Sequence, residues 1–135
     1  MWEATIKYVV VDEKTGNDRS IKEQFVCENN DSFTDVEAML ISMFGTYADF
    51  SVEAIKRSKI KEVANKRDSE DDMVWMAELQ DVFTDDEGVE KYTKYKVVFY
   101  AKSADSAHAF ITDFMRQGYD MTLVSLKLTN FSDVI

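Results

Sequence analysis

The chain has 135 residues, 45% hydrophobic and 31% charged, which suits a folded domain with a real core and excludes a disordered chain. Its 26 acidic side chains outnumber 16 basic ones, and the net charge of −10 repels both nucleic-acid phosphates and anionic membranes. No apolar run approaches the ~18 residues of a membrane span. The start, MWEATIKYVVVDE, lacks the pattern of a signal peptide, and the single Cys27 leaves no internal disulfide framework and fits a reducing, cytoplasmic setting.

Residues 2–11 alternate, with Trp2, Ala4, Ile6, Tyr8 and Val10 on one face, which predicts a strand. DEKTGND, centred on Gly16, predicts a hairpin loop, and Ile21, Glu23, Phe25 and Cys27 form one face of the returning strand. Ser32 is a helix N-cap, with Asp35 three residues on. Val36, Met39, Leu40 and Met43 then follow at the spacing of a one-sided helix, and Gly45 stops it. A final strand is expected over Phe50–Ile60. NKRDSEDD (65–72) holds no apolar residue and reads as a connecting loop. Beyond it come alternating Trp75, Ala77, Leu79 and Phe83, the loop TDDEG, and Tyr95, Val97 and Phe99 on a second returning strand. A helix carries Ala107, Phe110, Ile111 and Phe114, Gly118 follows, and a last strand spans Met121–Phe131.

The second series repeats the first. Trp2 aligns with Trp75, Ser32–Phe44 with Ser103–Met115, and Asp49–Val63 with Asp120–Val134. The expected fold is therefore α+β: a duplicated strand–strand–helix–strand unit, mainly antiparallel, with two helices and pseudo-twofold symmetry. Within each unit the strand order 2-1-3 is expected. Residues 1–135 form one domain of two repeats, 1–63 and 73–135, joined by loop 64–72. Each repeat would be marginal alone, so a shared core is expected. The pattern leaves open one six-stranded sheet or two smaller ones.

The catalytic inventory is sparse. His108, the sole histidine, lies beside the apolar stripe of the second helix, which gives it boundary packing rather than general-base duty. Cys27 in a strand reads as a small buried hydrophobe. One Cys and one His do not make a zinc site. The loops Asp12–Asp18 and Asp85–Glu87 lack EF-hand spacing, and the four glycines make no phosphate loop. No catalytic residue, metal ligand or cofactor is expected.

A candidate binding surface does emerge. Lys56, Arg57, Lys59 and Lys61 crowd into AIKRSKIK; on one continuous strand, Lys59 and Lys61 would share a face with Arg57, and Lys56 would face away. Such a cluster guards an edge strand against aggregation or meets an anion. Tyr92 and Tyr100 lie on the face opposite Tyr95 and Phe99. If the latter pair is buried, the former are partly exposed, ready for a protein partner or a stacked base.

The N-terminal Met-Trp strand, the Gly16 hairpin, DSFTDVEA (31–38) and FSVEAIKRSKIKEV (50–63) resemble an uncharacterised bacterial domain-of-unknown-function family also found in phages of gut bacteria. The likeness implies an intracellular protein of phage or mobile-element origin with no established activity, and it carries over no catalytic residues. The expected function is a non-enzymatic protein-interaction or assembly module, acting on a protein partner or as a homo-oligomer. A single-stranded nucleic-acid accessory and an acidic decoy of a basic host protein are the alternatives.

Overall fold

The structure is a computed structural model that describes every residue but Tyr119. The elements are β1 (Trp2–Val11), β2 (Asp18–Cys27), α1 (Phe33–Phe44), β3 (Ala48–Arg57), β4 (Ile60–Val63), β5 (Met73–Thr84), β6 (Glu90–Ala101), α2 (Ala104–Met115), β7 (Thr122–Leu128) and β8 (Phe131–Val134). The fold is α+β, with two four-stranded sheets ordered β3-β1-β2-β8 and β4-β6-β5-β7. The open choice resolves to two sheets, and the 2-1-3 order recurs as β2-β1-β3 and β6-β5-β7.

The chain forms two compact units. Unit 1 comprises Met1–Ser58 and Phe131–Ile135; unit 2 comprises Lys59–Asn130. These boundaries depart from 63 and 73 because each expected final strand breaks in two. After Arg57 the chain bends at Ser58–Lys59, and β4 pairs in parallel with β6 of unit 2. After Leu128 it bends at Thr129–Asn130, and β8 pairs in parallel with β2 of unit 1. Both bends are pinned alike: Ser58 N–H donates to the Met1 carbonyl at 2.9 Å, and Thr129 N–H to the Val74 carbonyl at 3.1 Å. Each sheet is thus completed by a strand from the other half of the sequence.

In unit 1, Trp2, Ala4, Ile6, Tyr8, Phe25 and Cys27 point from the sheet onto Val36 and Leu40 of α1. This is the alternation of the strands meeting the stripe of the helix. The Ser32 hydroxyl accepts the Asp35 N–H at 3.2 Å, the expected cap. Gly45 caps the helix, donating its N–H to the Ile41 carbonyl, and this close approach calls for glycine, because a Cβ there would fall 2.5 Å from the Ile41 carbonyl oxygen.

Unit 2 builds its own cluster from Trp75, Ala77, Leu79, Val97, Phe99 and the α2 residues Ala107 and Ile111. Ser103 caps α2, accepting the Ser106 N–H at 3.1 Å. Two of the four edge strands, β3 and β7, each open at or just past an aspartate in the left-handed region, Asp49 (φ 51°) and Asp120 (φ 50°), a conformation Asp tolerates better than most residues. Each also carries a bulge, opposite Thr5–Ile6 in β3 and opposite Glu78–Leu79 in β7. Bulges twist an edge away from foreign strands.

Candidate functional site

The break after Arg57 decides the fate of the basic cluster. Lys56 and Arg57 end β3 in unit 1, whereas Lys59 and Lys61 belong to unit 2. The expectation of one face shared by Arg57, Lys59 and Lys61 is corrected, since no single strand carries all three. Arg57 sits opposite Trp2 in the ladder, and its guanidinium lies 4.8 Å from the indole ring. The Lys61 ammonium lies 4.9 Å from the Tyr95 ring. Both cations cover aromatic faces of their own unit, a use worth ~0.5–1 kcal/mol each at exposed sites. Lys56 pairs in register with Glu3 and, with Thr5, Gln24 and Phe131, lines a shallow polar depression of about 90 Å³. That is room for a few waters. Lys59 is exposed.

The two tyrosines part company. Tyr92 is 61% exposed, its hydroxyl donating to Glu90 at 3.3 Å. Tyr100 is only 6% exposed, which corrects the expectation of a partly exposed ring. The linker accounts for this. The Asn65 side chain clips onto the Tyr100 backbone, donating to its carbonyl at 3.0 Å and accepting its N–H at 2.7 Å. The Arg67 guanidinium lies 4.9 Å from the Tyr100 ring. Asp72, itself buried, gathers the chain by accepting the N–H groups of Asp68 and Ser69 at 2.9 and 3.0 Å. Those donors, the Asp68 amide first and then that of Ser69, with Lys102 and Arg67 nearby, outweigh burial and hold the Asp72 carboxyl below its usual pKa.

Other titrating groups are built into the cores. Burial pushes the Cys27 thiol up to about 11, so it is a poor nucleophile at neutral pH. Burial, with Glu23 beside it, raises the Tyr8 hydroxyl, and burial with Asp81 and Glu62 raises that of Tyr95. His108 is exposed on α2 and does not take up the boundary packing expected of it. Among the described residues no group of three or more His, Cys, Asp or Glu could hold a metal ion, and no helix is long and apolar enough to cross a membrane.

One surface was not singled out by the sequence reading. Phe33, Ile41, Met43 and Tyr47 are 49%, 54%, 49% and 46% exposed, all on α1 or the turn after it. Phe33 and Ile41 fall two turns apart on one flank of the buried Val36–Leu40 stripe. Tyr47 stacks on Tyr8 at 4.5 Å, with its other neighbour Phe44 at 6.3 Å, so the patch is held in place from the core. Between Lys22 and Lys56 the sequence has no basic residue, and α1 and its approach carry the acids Asp31, Asp35 and Glu37. The available signal was the width of the apolar arc: seven large apolar residues in twelve (Phe33, Val36, Met39, Leu40, Ile41, Met43 and Phe44) exceed what one packed stripe needs.

The whole chain, residues 1–135, belongs to the family described as a domain of unknown function, DUF4494. No curated protein and no solved structure matches it.

Proposed function

We propose that this member of a family without an assigned activity is a non-enzymatic protein-interaction module. It docks a partner protein on the α1 surface formed by Phe33, Ile41, Met43 and Tyr47. The observation that carries this reading is their exposure, about half of each side chain, with Phe33 and Ile41 on one flank of a helix already anchored to its sheet, Met43 on the other flank and Tyr47 in the turn that follows. Exposed apolar patches of this kind mark interfaces, where aromatic residues and Met are enriched. The acids of the same segment, Asp31, Asp35 and Glu37, favour a partner whose apolar anchor is accompanied by Lys or Arg. That property is shared with the acidic-decoy reading, which becomes a special case of this one. The nucleic-acid reading is weakened: its basic residues are divided between the units, two of them stack on internal aromatic rings, and Tyr100 is buried.

Affinity capture from the native host, with the protein and its Phe33→Ser/Ile41→Ser variant side by side, tests the proposal. The partner is expected with the parent and lost with the variant, while circular dichroism of the two agrees. Equal capture by both would remove the α1 surface from consideration. Capture is also expected to weaken as salt rises, because the charges of Asp31, Asp35 and Glu37 are solvent-exposed.

A further inference from the structure

In unit 1, the sheet face turned away from α1 carries a polar arrangement of its own. Trp2, Ala4 and Phe25 point to the helix side, so alternation sends Glu3, Thr5 and Gln24 to the other. Ile55 packs with the helix-side cluster, which places its neighbours Ala54 and Lys56 on that other face too. The ladders set these residues in two adjacent rows across the strands. One runs Lys56–Glu3–Val26, and the next runs Ala54–Thr5–Gln24–Phe131. The depression of about 90 Å³ lies where the rows meet. Side-chain length creates it, because the short Ala54 and Thr5 stand among the longer Lys56, Gln24 and Phe131.

Four polar side chains converge there with their bonding capacity unspent. Among the described residues, those of Glu3, Thr5, Gln24 and Lys56 have no hydrogen bond or ion pair. Glu3 and Lys56 stand directly opposite each other, at a spacing of about 4.5–5.5 Å between Cβ atoms, yet their charged ends do not meet. The lining thus offers one negative and one positive group. On the next row it adds a hydroxyl and a carboxamide, each able to donate and to accept. Unit 2 fills the matching rows differently. There Ser125–Glu78–Lys96–Ile60 puts two long charged side chains where Thr5 and Gln24 stand, and Lys127 faces Met76 instead of a carboxylate.

We propose that this depression binds a free α-amino acid by its ammonium and carboxylate groups. The lining selects a ligand that carries both signs. The carboxylate goes to Lys56 and the Thr5 hydroxyl, and the ammonium goes to Glu3 and the Gln24 carbonyl oxygen. A simple anion would be repelled by Glu3 and a simple cation by Lys56, so each is disfavoured on one side. Volume sets the size. At ~30 Å³ per water the space equals about three waters. That admits the backbone atoms of an amino acid, whose side chain then projects outward past the Phe131 ring.

The test is a titration of the isotope-labelled full chain with glycine, followed by its amide resonances, with acetate and methylammonium as single-charge probes. Glycine is expected to shift the amides of Glu3, Thr5, Gln24 and Lys56 saturably in the millimolar range. Each single-charge probe is expected to bind about tenfold more weakly or not at all. Glu3→Gln and Lys56→Met should each weaken glycine by about tenfold. Ala54→Leu fills the depression while keeping every polar group, and it should abolish the shifts. Circular dichroism of the three variants is expected to match the parent. The absence of any saturable shift with glycine overturns the proposal. So does acetate or methylammonium binding as tightly as glycine, and so does undiminished glycine binding by any of the three variants.

Discussion

Units 1 and 2 differ most on the outside of their helices and least beneath them. Beneath, the correspondence extends to single bonds. Trp2 donates its indole N–H to the Asn30 carbonyl at 3.1 Å, and Trp75 does the same to Ala101 at 3.1 Å; each acceptor stands two residues before the capping serine. Leu40 and Ile111 are both fully buried at matching places on helices of 12 residues. Outside, Phe33 and Ile41 of α1 correspond to Ala104 and Thr112 of α2, and Arg57 beside Trp2 corresponds to Leu128 beside Trp75. The shared positions are those that packing dictates. The divergent ones are free of that demand, and the proposed docking surface is built from them.

The comparison is open to attack at several depths. The largest effect is expected from the equivalent core pair: Leu40→Ala and Ile111→Ala should each cost about 2–5 kcal/mol. Denaturant unfolding would measure both. Because each sheet needs a strand from the other half, both lesions should shift one common transition. Two separable transitions would mean that the strand exchange does not couple the units.

Next come the tryptophans. Trp2→Phe and Trp75→Phe each delete one hydrogen bond and strip a carbonyl of its donor, for an expected loss of ~1–3 kcal/mol. Similar losses in the two would sharpen the equivalence, and a loss confined to one would break it. The caps are expected to matter less, with Ser32→Ala and Ser103→Ala costing about 1 kcal/mol apiece; urea midpoints at constant slope would report it.

The last effects appear only away from neutral pH, and they separate the units because each rests on a group the other lacks. Asp72 has a lowered pKa in the folded chain, so its contribution is present above the ordinary carboxylate pKa of ~4 and fades as pH falls through that region. Asp72→Asn should flatten the acid limb of a stability–pH curve. Cys27 is raised to about 11, so the fold resists its ionisation and stability should fall between about pH 8.5, the usual thiol value, and 11. Its thiol should react with a disulfide reagent only after unfolding. Rapid labelling of the native chain would show that β2 opens.

Much of the scaffold was legible because it rests on local periodicity. The alternation from Trp2, the Ser32 and Ser103 caps and the 2-1-3 strand order all follow from spacing and turn chemistry. The breaks at Ser58–Lys59 and Thr129–Asn130 were hidden because neither carries glycine or proline and the apolar pattern runs through them. Tyr100 was misjudged because alternation holds only where one face of a strand is wet. From Val97 to Ala101 all five residues are buried, a continuous run that itself signals cover on both faces. The polar linker was read correctly as a connection, but its side-chain work (Asn65 on the β6 backbone, Asp72 on its own turn) depends on long-range partners that spacing does not reveal.

The placement of β8 also bears on synthesis. A ribosome delivers β1, β2, α1 and β3 early, yet the flank of β2 stays bare until residues 131–135 emerge, after the whole of unit 2 has been made. Unit 2, by contrast, already has β4 in hand when β6 is translated. The first unit to be made is thus the last to be sealed, and during that interval its unsatisfied backbone is exposed to whatever extended chain is nearby, nascent neighbours on the same message included.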